Sequence, residues 1–281
     1  MQGATPRPPR RERRGGYMSI QSSGEYLDRG LELLLADSPE EALVVFEEGE
    51  RKFPGDAELN LGRALAFNRV GGHVRACEIL EGLRGTATQI EDVLTGLVEA
   101  YLGRGMIARA KEAAKVAADG PARHDAEILC RLGRLFYMKK RVGDALPFYE
   151  RAAELSPQWG EAWFGLGACQ WALLRPAGAE AALRRAVELV PTDWQARQFL
   201  GCVLHDLGRK KDAREMLEAV PLNVLWQKPA LERMVAMAWW PLDAERRKQM
   251  ESLWKSVMGG APGRGAMDVL EEVSRKMELK P

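Results

Sequence analysis

The sequence predicts an all-α protein, an α-solenoid of stacked helical hairpins, and two periodic observations support this prediction. An alanine recurs every 34 or 35 residues, and the aligned alanines are Ala42, Ala76, Ala110, Ala145, Ala179 and Ala213. Apolar residues recur at helical spacing on both sides of each alanine, with a short glycine-containing or charged turn between the two segments. A single helical hairpin cannot bury its apolar face alone, so consecutive hairpins are expected to stack.

Two further columns of residues keep the same period. Twelve residues before the alanines stand Gly30, Ala64, Val98, Gly133, Gly167 and Gly201. Four residues after the alanines stand Phe46, Leu80, Ala114, Tyr149, Leu183 and Leu217. A glycine lowers helix stability by about 1 kcal/mol relative to alanine, so its recurrence inside a helix requires a packing reason. We predict that the glycine and the alanine mark the place where the two helix backbones approach closely, and that the larger residue fills the space beside them.

The segment from Trp163 to Pro191 carries the most complete version of this period. It combines Trp163, Leu166, Gly167, Ala179, Leu183, Ala186 and Pro191, a pattern that resembles the tetratricopeptide repeat. The resemblance implies a right-handed α-solenoid of six repeats, at residues 23–56, 57–90, 91–125, 126–159, 160–193 and 194–227. The early repeats depart from the family pattern at Arg29, Arg63, Val98 and Ala114.

The two ends of the chain fall outside the period. Residues 1–22 are rich in proline, glycine and arginine, so we predict a disordered basic leader. Residues 228–258 are predicted to form a diverged hairpin that caps the stack. A flexible linker at 259–265 and a short amphipathic helix at 266–281 are predicted to follow. Docking on the cap, competition for the groove of the repeats and disorder are three open alternatives for this last helix.

Composition argues against nucleic acid and membranes as partners. The 41 basic and 40 acidic residues nearly cancel, so the chain has no overall field that attracts a polyanion. No segment approaches the roughly 20 consecutive apolar residues of a membrane span, and no membrane insertion is expected. The four cysteines are widely spaced and show no CxxC pairing, a pattern that favours reduced thiols in the cytoplasm.

No catalytic, cofactor or metal site is expected. The sequence contains no phosphate-binding glycine loop, nucleophile elbow or zinc-protease motif. Cys202 and His205, at i and i+3 on one predicted helix, supply at most half of a zinc site, which needs three or four protein ligands. We therefore predict that the protein is not an enzyme and has no cofactor, no metal and no small-molecule substrate.

The family resemblance also implies a groove that binds other proteins, lined by the first helix of each repeat. The implied groove residues are Glu127, Cys130, Arg134, Tyr137, Met138, Glu161, Phe164, Trp171, Gln195, Gln198, Cys202 and His205. Clusters of aromatic, methionine and arginine side chains are typical anchors of interfaces. The alternative is that Tyr137, Phe164 and Trp171 simply pack between neighbouring first helices.

Two functional hypotheses follow from the sequence. The first is a scaffold or adaptor that binds a peptide or helix of a partner protein in the groove. The arginine- and alanine-rich composition favours a bacterial multiprotein assembly for secretion, motility, the envelope or regulation. The alternative is a regulatory or nucleic-acid-associated protein that acts through the basic leader, with salt-dependent binding and the repeats as a tether. The oligomeric state stays undetermined at this stage.

Overall fold

The computed structural model describes residues 22–85, 90–221, 223, 224, 228–236 and 252. Over this part of the chain the secondary structure is entirely helical. The helices are α1 (Ser23–Leu35), α2 (Pro39–Lys52), α3 (Ala57–Arg69), α4 (His73–Leu83), α5 (Ile90–Gly103), α6 (Ile107–Asp119), α7 (Ala126–Met138), α8 (Val142–Leu155), α9 (Gly160–Ala172), α10 (Pro176–Leu189), α11 (Trp194–Asp206), α12 (Lys210–Glu218) and α13 (Lys228–Ala236).

The helices form hairpins, as predicted, and the chain divides into two compact units. The first unit, Met1–Ala87, contains the hairpins α1–α2 and α3–α4, and α3 packs against both helices of the preceding hairpin. The second unit, Thr88–Pro281, contains the hairpins α5–α6, α7–α8, α9–α10 and α11–α12, followed by α13. Within each unit the hairpins stack, so the all-α fold class of stacked helical hairpins is confirmed.

Aspartates at the helix starts explain where several first helices begin. The Asp56 side chain accepts hydrogen bonds from the backbone N–H groups of Glu58 and Leu59, both at 3.0 Å. Asp125 caps α7 in the same way, at 2.9 Å from the Glu127 nitrogen and 3.0 Å from that of Ile128. These caps satisfy backbone donors that have no partner inside the helix.

The turn inside each hairpin contains one residue in the left-handed region, and this residue follows the same period as the alanines. Glycine occupies the position in three hairpins, at Gly71, Gly105 and Gly208, with φ between 72° and 80°. Asp37, Lys140 and Leu174 occupy it in the other three, with φ between 57° and 59°. A side chain in this conformation costs roughly 1–2 kcal/mol, so these three turns are strained where the glycine turns are not.

In every described hairpin except α5–α6, which has Ala114, the core includes the large residue that follows the periodic alanine by four positions. The Phe46 ring lies against Gly30 of its own hairpin and against Gly62 of the next, where a Cβ would approach Cε1 of the ring to 2.5 Å. The Tyr149 ring lies in the same way between Gly133, where a Cβ would approach to 2.8 Å, and Gly165. One aromatic side chain thus fixes two helix contacts at once.

We expected the glycines to mark a close approach of two helix backbones. At Gly167 the approach is close, since a Cβ there would lie 3.2 Å from the backbone nitrogen of Leu183. The structure adds that the glycine also receives the large side chain of the second helix. A Cβ on Gly167 would lie 2.6 Å from Cγ of Leu183, and a Cβ on Gly201 would lie 2.6 Å from Cγ of Leu217. Because glycine has no side chain, it leaves the space that the leucine side chain fills. A close-packed interior has few voids that could otherwise hold the leucine.

Several predictions concern residues that the structure does not describe. These are the basic leader up to residue 21, the second helix of the capping hairpin, the linker at 259–265 and the final helix at 266–281. Ser22, the last residue of the predicted leader, is described, and its hydroxyl caps α1 by accepting the Glu25 N–H at 3.2 Å. Among the described helices, none has the length and apolar character needed to cross a bilayer.

The packing of Tyr149 predicts a large effect of a single methyl group. Gly165→Ala should lower the free energy of unfolding by about 1–3 kcal/mol, because the added Cβ overlaps the Tyr149 ring. Urea denaturation followed by circular dichroism measures the change. Tyr149→Leu in the Gly165→Ala background should restore part of the loss. The matched control is Gly82→Ala on α4, where a Cβ meets nothing within 4 Å and stability should rise by about 1 kcal/mol.

The strained turns predict that glycine is the better residue at Leu174. Its side chain is 88 % exposed, so its removal loses little packing, and Leu174→Gly should raise the free energy of unfolding by about 1 kcal/mol. Gly208→Ala, at the equivalent turn, should lower it by a similar amount. If urea denaturation showed that both variants change the free energy of unfolding in the same direction, backbone strain would not determine the stability of these turns.

Candidate partner-binding surface

The first helices of the second unit contact one another in chain order, α5 with α7, α7 with α9, α9 with α11 and α11 with α13. A polar contact bridges each of these junctions. The Arg131 guanidinium lies 2.8 Å from the Asp92 carboxylate, and that of Arg134 lies 3.3 Å from Glu161. Asp206 of α11 accepts hydrogen bonds from Trp171 of α9 and from Arg233 of α13. The spacing of these residues along their helices places them on one face, which we call the first-helix surface.

Three half-buried aromatic rings form the apolar part of this surface. Phe199 on α11 meets Phe164 and Trp171 of α9, with ring centroids 5.3 Å and 5.2 Å apart and nearly perpendicular planes. All three rings pack on the buried cluster that contains Leu183 and Leu200. Edge-to-face pairs at this distance are favourable beyond the area that they bury. We call Phe164, Trp171 and Phe199 the aromatic cluster.

Asp206 and Arg233 close one side of the aromatic cluster. Trp171 Nε1 donates a hydrogen bond of 2.9 Å to Asp206 Oδ2. Arg233 of α13 binds the same carboxylate through two nitrogens, at 2.8 Å and 2.9 Å, and its guanidinium carbon lies 5.2 Å from the Trp171 ring centroid. A planar guanidinium suits both contacts, since it pairs with a carboxylate through two bonds and stacks on aromatic faces.

The same contacts determine the electrostatics of Asp206. Partial burial alone would raise the pKa of its carboxyl group. The hydrogen bonds from Arg233 and Trp171, together with the charge of Arg233, outweigh burial and hold the pKa below its ordinary value. Asp206 is therefore ionised at neutral pH and holds α13 against α11.

The structure divides the twelve predicted groove residues by accessibility. The exposed ones are Glu127, Arg134, Met138, Glu161 and Gln195. The half-buried ones are Tyr137, Phe164, Trp171 and His205. The buried ones are Cys130, Gln198 and Cys202.

Burial changes what is expected of these last three residues. Neighbouring helices cover them, so a partner cannot reach their side chains in this structure, and they do not belong to an accessible surface. Burial also raises the pKa of the Cys130 thiol to about 12, so this thiol is protonated and unreactive at neutral pH. Nine of the twelve predicted groove residues therefore remain at least partly accessible.

Sequence reasoning missed Phe199, Asp92 and Arg233 as parts of this surface. A signal for Phe199 was present in the sequence. Phe199 is the one large apolar residue at this position, where the other five repeats have Asp28, Gly62, Gly96, Arg131 and Gly165. Arg233 lies beyond the regular period and gave no comparable signal.

No catalytic or metal-binding arrangement is found in the part of the chain that the structure describes. No three His, Cys, Asp or Glu side chains gather there in a way that could hold a metal ion. His205 faces a carboxylate instead, with its Nδ1 3.4 Å from Asp206 Oδ1. Nothing in the described residues indicates catalysis.

Comparison with known proteins identifies the family of these hairpins. Residues 95–158 and 170–222 match the family model of the tetratricopeptide repeat. The hairpins of these residues are tetratricopeptide repeats. The repeats of this family are protein-interaction modules, so the fold supports a scaffold role and gives no indication of an enzyme. No curated protein sequence matches the chain.

Solved structures show the same fold at low sequence identity. A thermophilic tetratricopeptide repeat protein from Thermus thermophilus is 21% identical, with a TM-score of 0.53 over 66% of this chain and 100% of that one. A tetratricopeptide repeat protein from Parabacteroides merdae is 14% identical, with a TM-score of 0.58 over 90% and 98%. The C-terminal part of a repeat-containing protein from Cytophaga hutchinsonii is 15% identical, with a TM-score of 0.59 over 87% and 99%.

The lowered pKa of Asp206 predicts a pH-dependent contribution to stability. The carboxylate contributes fully above its ordinary pKa of about 3.9, and the contribution is lost as pH falls through the lower folded-state value. Asp206→Asn should therefore lower the urea midpoint between pH 5 and 8, and the difference from wild type should shrink as pH falls through the folded-state pKa. Glu215→Gln, on the exposed side of α12, should show no such difference. A wild-type advantage that stayed constant as the pH was lowered would contradict the ion pair with Arg233.

Proposed function

We propose that this protein is a non-enzymatic scaffold that binds a peptide or helix of a partner protein on the first-helix surface of α7, α9 and α11. One observation carries the proposal. The aromatic cluster joins α9 and α11 and yet stays half-buried, so it offers apolar area that the fold itself does not cover. Aromatic side chains in such settings are typical hot spots of protein interfaces.

The part of the first-helix surface that α7 contributes also suits the chemistry of a peptide. Met138, at the end of α7, is 71% exposed and provides a flexible apolar contact. Arg134 and Glu161 pair with each other at 3.3 Å and remain about half exposed, so both still offer hydrogen bonds to a backbone or a charged side chain. A preformed surface spends little free energy on its own ordering when the partner binds.

We place this function in a bacterial multiprotein assembly in the cytoplasm. The four cysteines are buried, reduced thiols, which is the usual state in a reducing compartment. The arginine- and alanine-rich composition is the support for a bacterial source.

The proposal predicts that a single exposed side chain affects partner binding. Met138→Glu should reduce the recovery of bound partners at least tenfold, because the glutamate charge would be buried in an apolar contact with the partner. The fold should not change, because the Met138 side chain is exposed. The measurement is affinity purification of tagged protein from the organism that encodes the chain, with quantitative mass spectrometry.

The matched control for this experiment is Val44→Glu. Val44 lies on α2, a second helix, and is 63% exposed, so the substitution adds the same charge at a similar exposure away from the first-helix surface. Partners recovered with the control and lost with Met138→Glu support the proposal. Identical partner lists for the two variants would refute it.

A further inference from the structure

The junction between α6 and α7 lacks a contact that two later junctions of the second unit have. In this unit α8 packs against the following first helix, α9, and α10 packs against α11 in the same way. Helix α6 forms no comparable contact with α7 among the described residues. Instead, α6 faces α8 across a gap.

The sequence explains why this junction is open. The helix α6 buries only alanines, which are Ala110, Ala113, Ala114, Ala117 and Ala118. Ala114 stands where the other repeats have a phenylalanine, tyrosine or leucine, so α6 has no large buried side chain at this position. The connection to α7 is also longer, since residues 120–125 separate these helices and residues 156–159 separate α8 from α9.

The opening forms a cleft of about 640 Å³ between α6 and α8. Its floor is apolar and includes Phe136 and Phe148, whose rings stack with centroids 5.7 Å apart and planes 11° apart. Pro147 and Ala108 extend the apolar lining on the two sides. Ligand-binding clefts typically have volumes of 300–1,000 Å³ with a mostly apolar lining, and this cleft has both properties.

The rim of the cleft favours a negative charge. Asp144 lies on it but is already neutralised by two cations, with the Lys111 amine at 2.7 Å and the Arg141 guanidinium at 2.8 Å. Lys115, one helical turn after Lys111, has no ion pair among the described residues. Glu112 is the other carboxylate of the rim, so three cations stand against two carboxylates.

We propose that this cleft is a second protein-binding site, which takes a segment of a partner carrying a large apolar side chain next to an aspartate or glutamate. The apolar side chain enters the cleft and covers Phe148, the half-buried ring that stacks on the fully buried Phe136. The neighbouring carboxylate pairs with Lys115, the cation that no described residue neutralises. This site lies on helices α6 and α8 and does not depend on the aromatic cluster or on the first-helix surface.

Charge complementarity selects this occupant over a basic one. A lysine or arginine at the rim would stand close to Lys111 and Lys115, and Asp144, one of the two rim carboxylates, is already paired twice. Removing a further cation from water beside two amines without a new partner is unfavourable. An acidic and apolar segment gains both contacts at once.

The test is a selection of random twelve-residue peptides displayed on phage, with the full-length protein as bait. The proposal expects an enriched motif that combines phenylalanine, tryptophan or leucine with an adjacent aspartate or glutamate. The selected peptide is then synthesised with a fluorophore, and its dissociation constant is measured by fluorescence anisotropy. Selection of no peptide, or of basic motifs alone, would overturn the proposal.

Four variants locate the bound peptide. Ala108→Trp fills the cleft from an exposed position and should abolish binding. Lys115→Glu should weaken it at least tenfold, and Lys115→Arg should retain it within about threefold, because the positive charge is preserved. Lys211→Glu, the same charge reversal on the exposed α12, should leave it unchanged.

The outcomes separate this site from the first-helix surface. Circular dichroism spectra and melting curves like those of the wild type exclude unfolding as the cause of any loss. A peptide that is lost with Met138→Glu and retained with Ala108→Trp binds the first-helix surface and refutes the cleft. Equal binding by Lys115→Glu and wild type refutes the predicted carboxylate contact.

Discussion

The positions of the hairpins depend on one repeated fit, in which a large side chain of a second helix occupies space left by glycines of the first helices. Phe46 and Tyr149 show the complete form, with one glycine in their own hairpin and another in the next. Each ring therefore sets two helix separations, one inside the hairpin and one across the repeat junction. Because close-packed interiors absorb little extra volume, the size of this one side chain limits how adjacent repeats can be arranged.

Both candidate binding sites arise where this fit is altered. After Leu183, which is smaller than an aromatic ring, the glycine of the next first helix is replaced by Phe199, and that ring completes the aromatic cluster. After Ala114 no large side chain exists, and the junction opens into the cleft. The regular repeats thus provide rigid support, and the irregular ones provide accessible apolar area. A chain of fully regular repeats would lack these two accessible apolar areas.

The period of the alanines was sufficient to predict the hairpins, because helical spacing and small-residue positions are local properties of the sequence. It was not sufficient to predict which inner positions stay accessible. Cys130, Gln198 and Cys202 occupy the same helical face as Arg134 and Gln195, and their burial depends on the neighbouring helices. The contact of Arg233 with Trp171 joins residues 62 positions apart and lies outside the repeat pattern. The strained turn at Leu174 could not be predicted either, because a leucine in the sequence does not indicate a left-handed backbone conformation.

The buried thiols give this protein a built-in set of local reporters. Cys77, Cys130, Cys169 and Cys202 lie on four different helices, α4, α7, α9 and α11, and each is buried. Burial raises the pKa of both Cys130 and Cys169 to about 12, so these two sulfurs resist alkylation as long as their helices stay packed. The rate at which a given thiol becomes labelled then measures how often its own hairpin opens. The opening of four separate repeats can in this way be measured in one chain, without introduced cysteines.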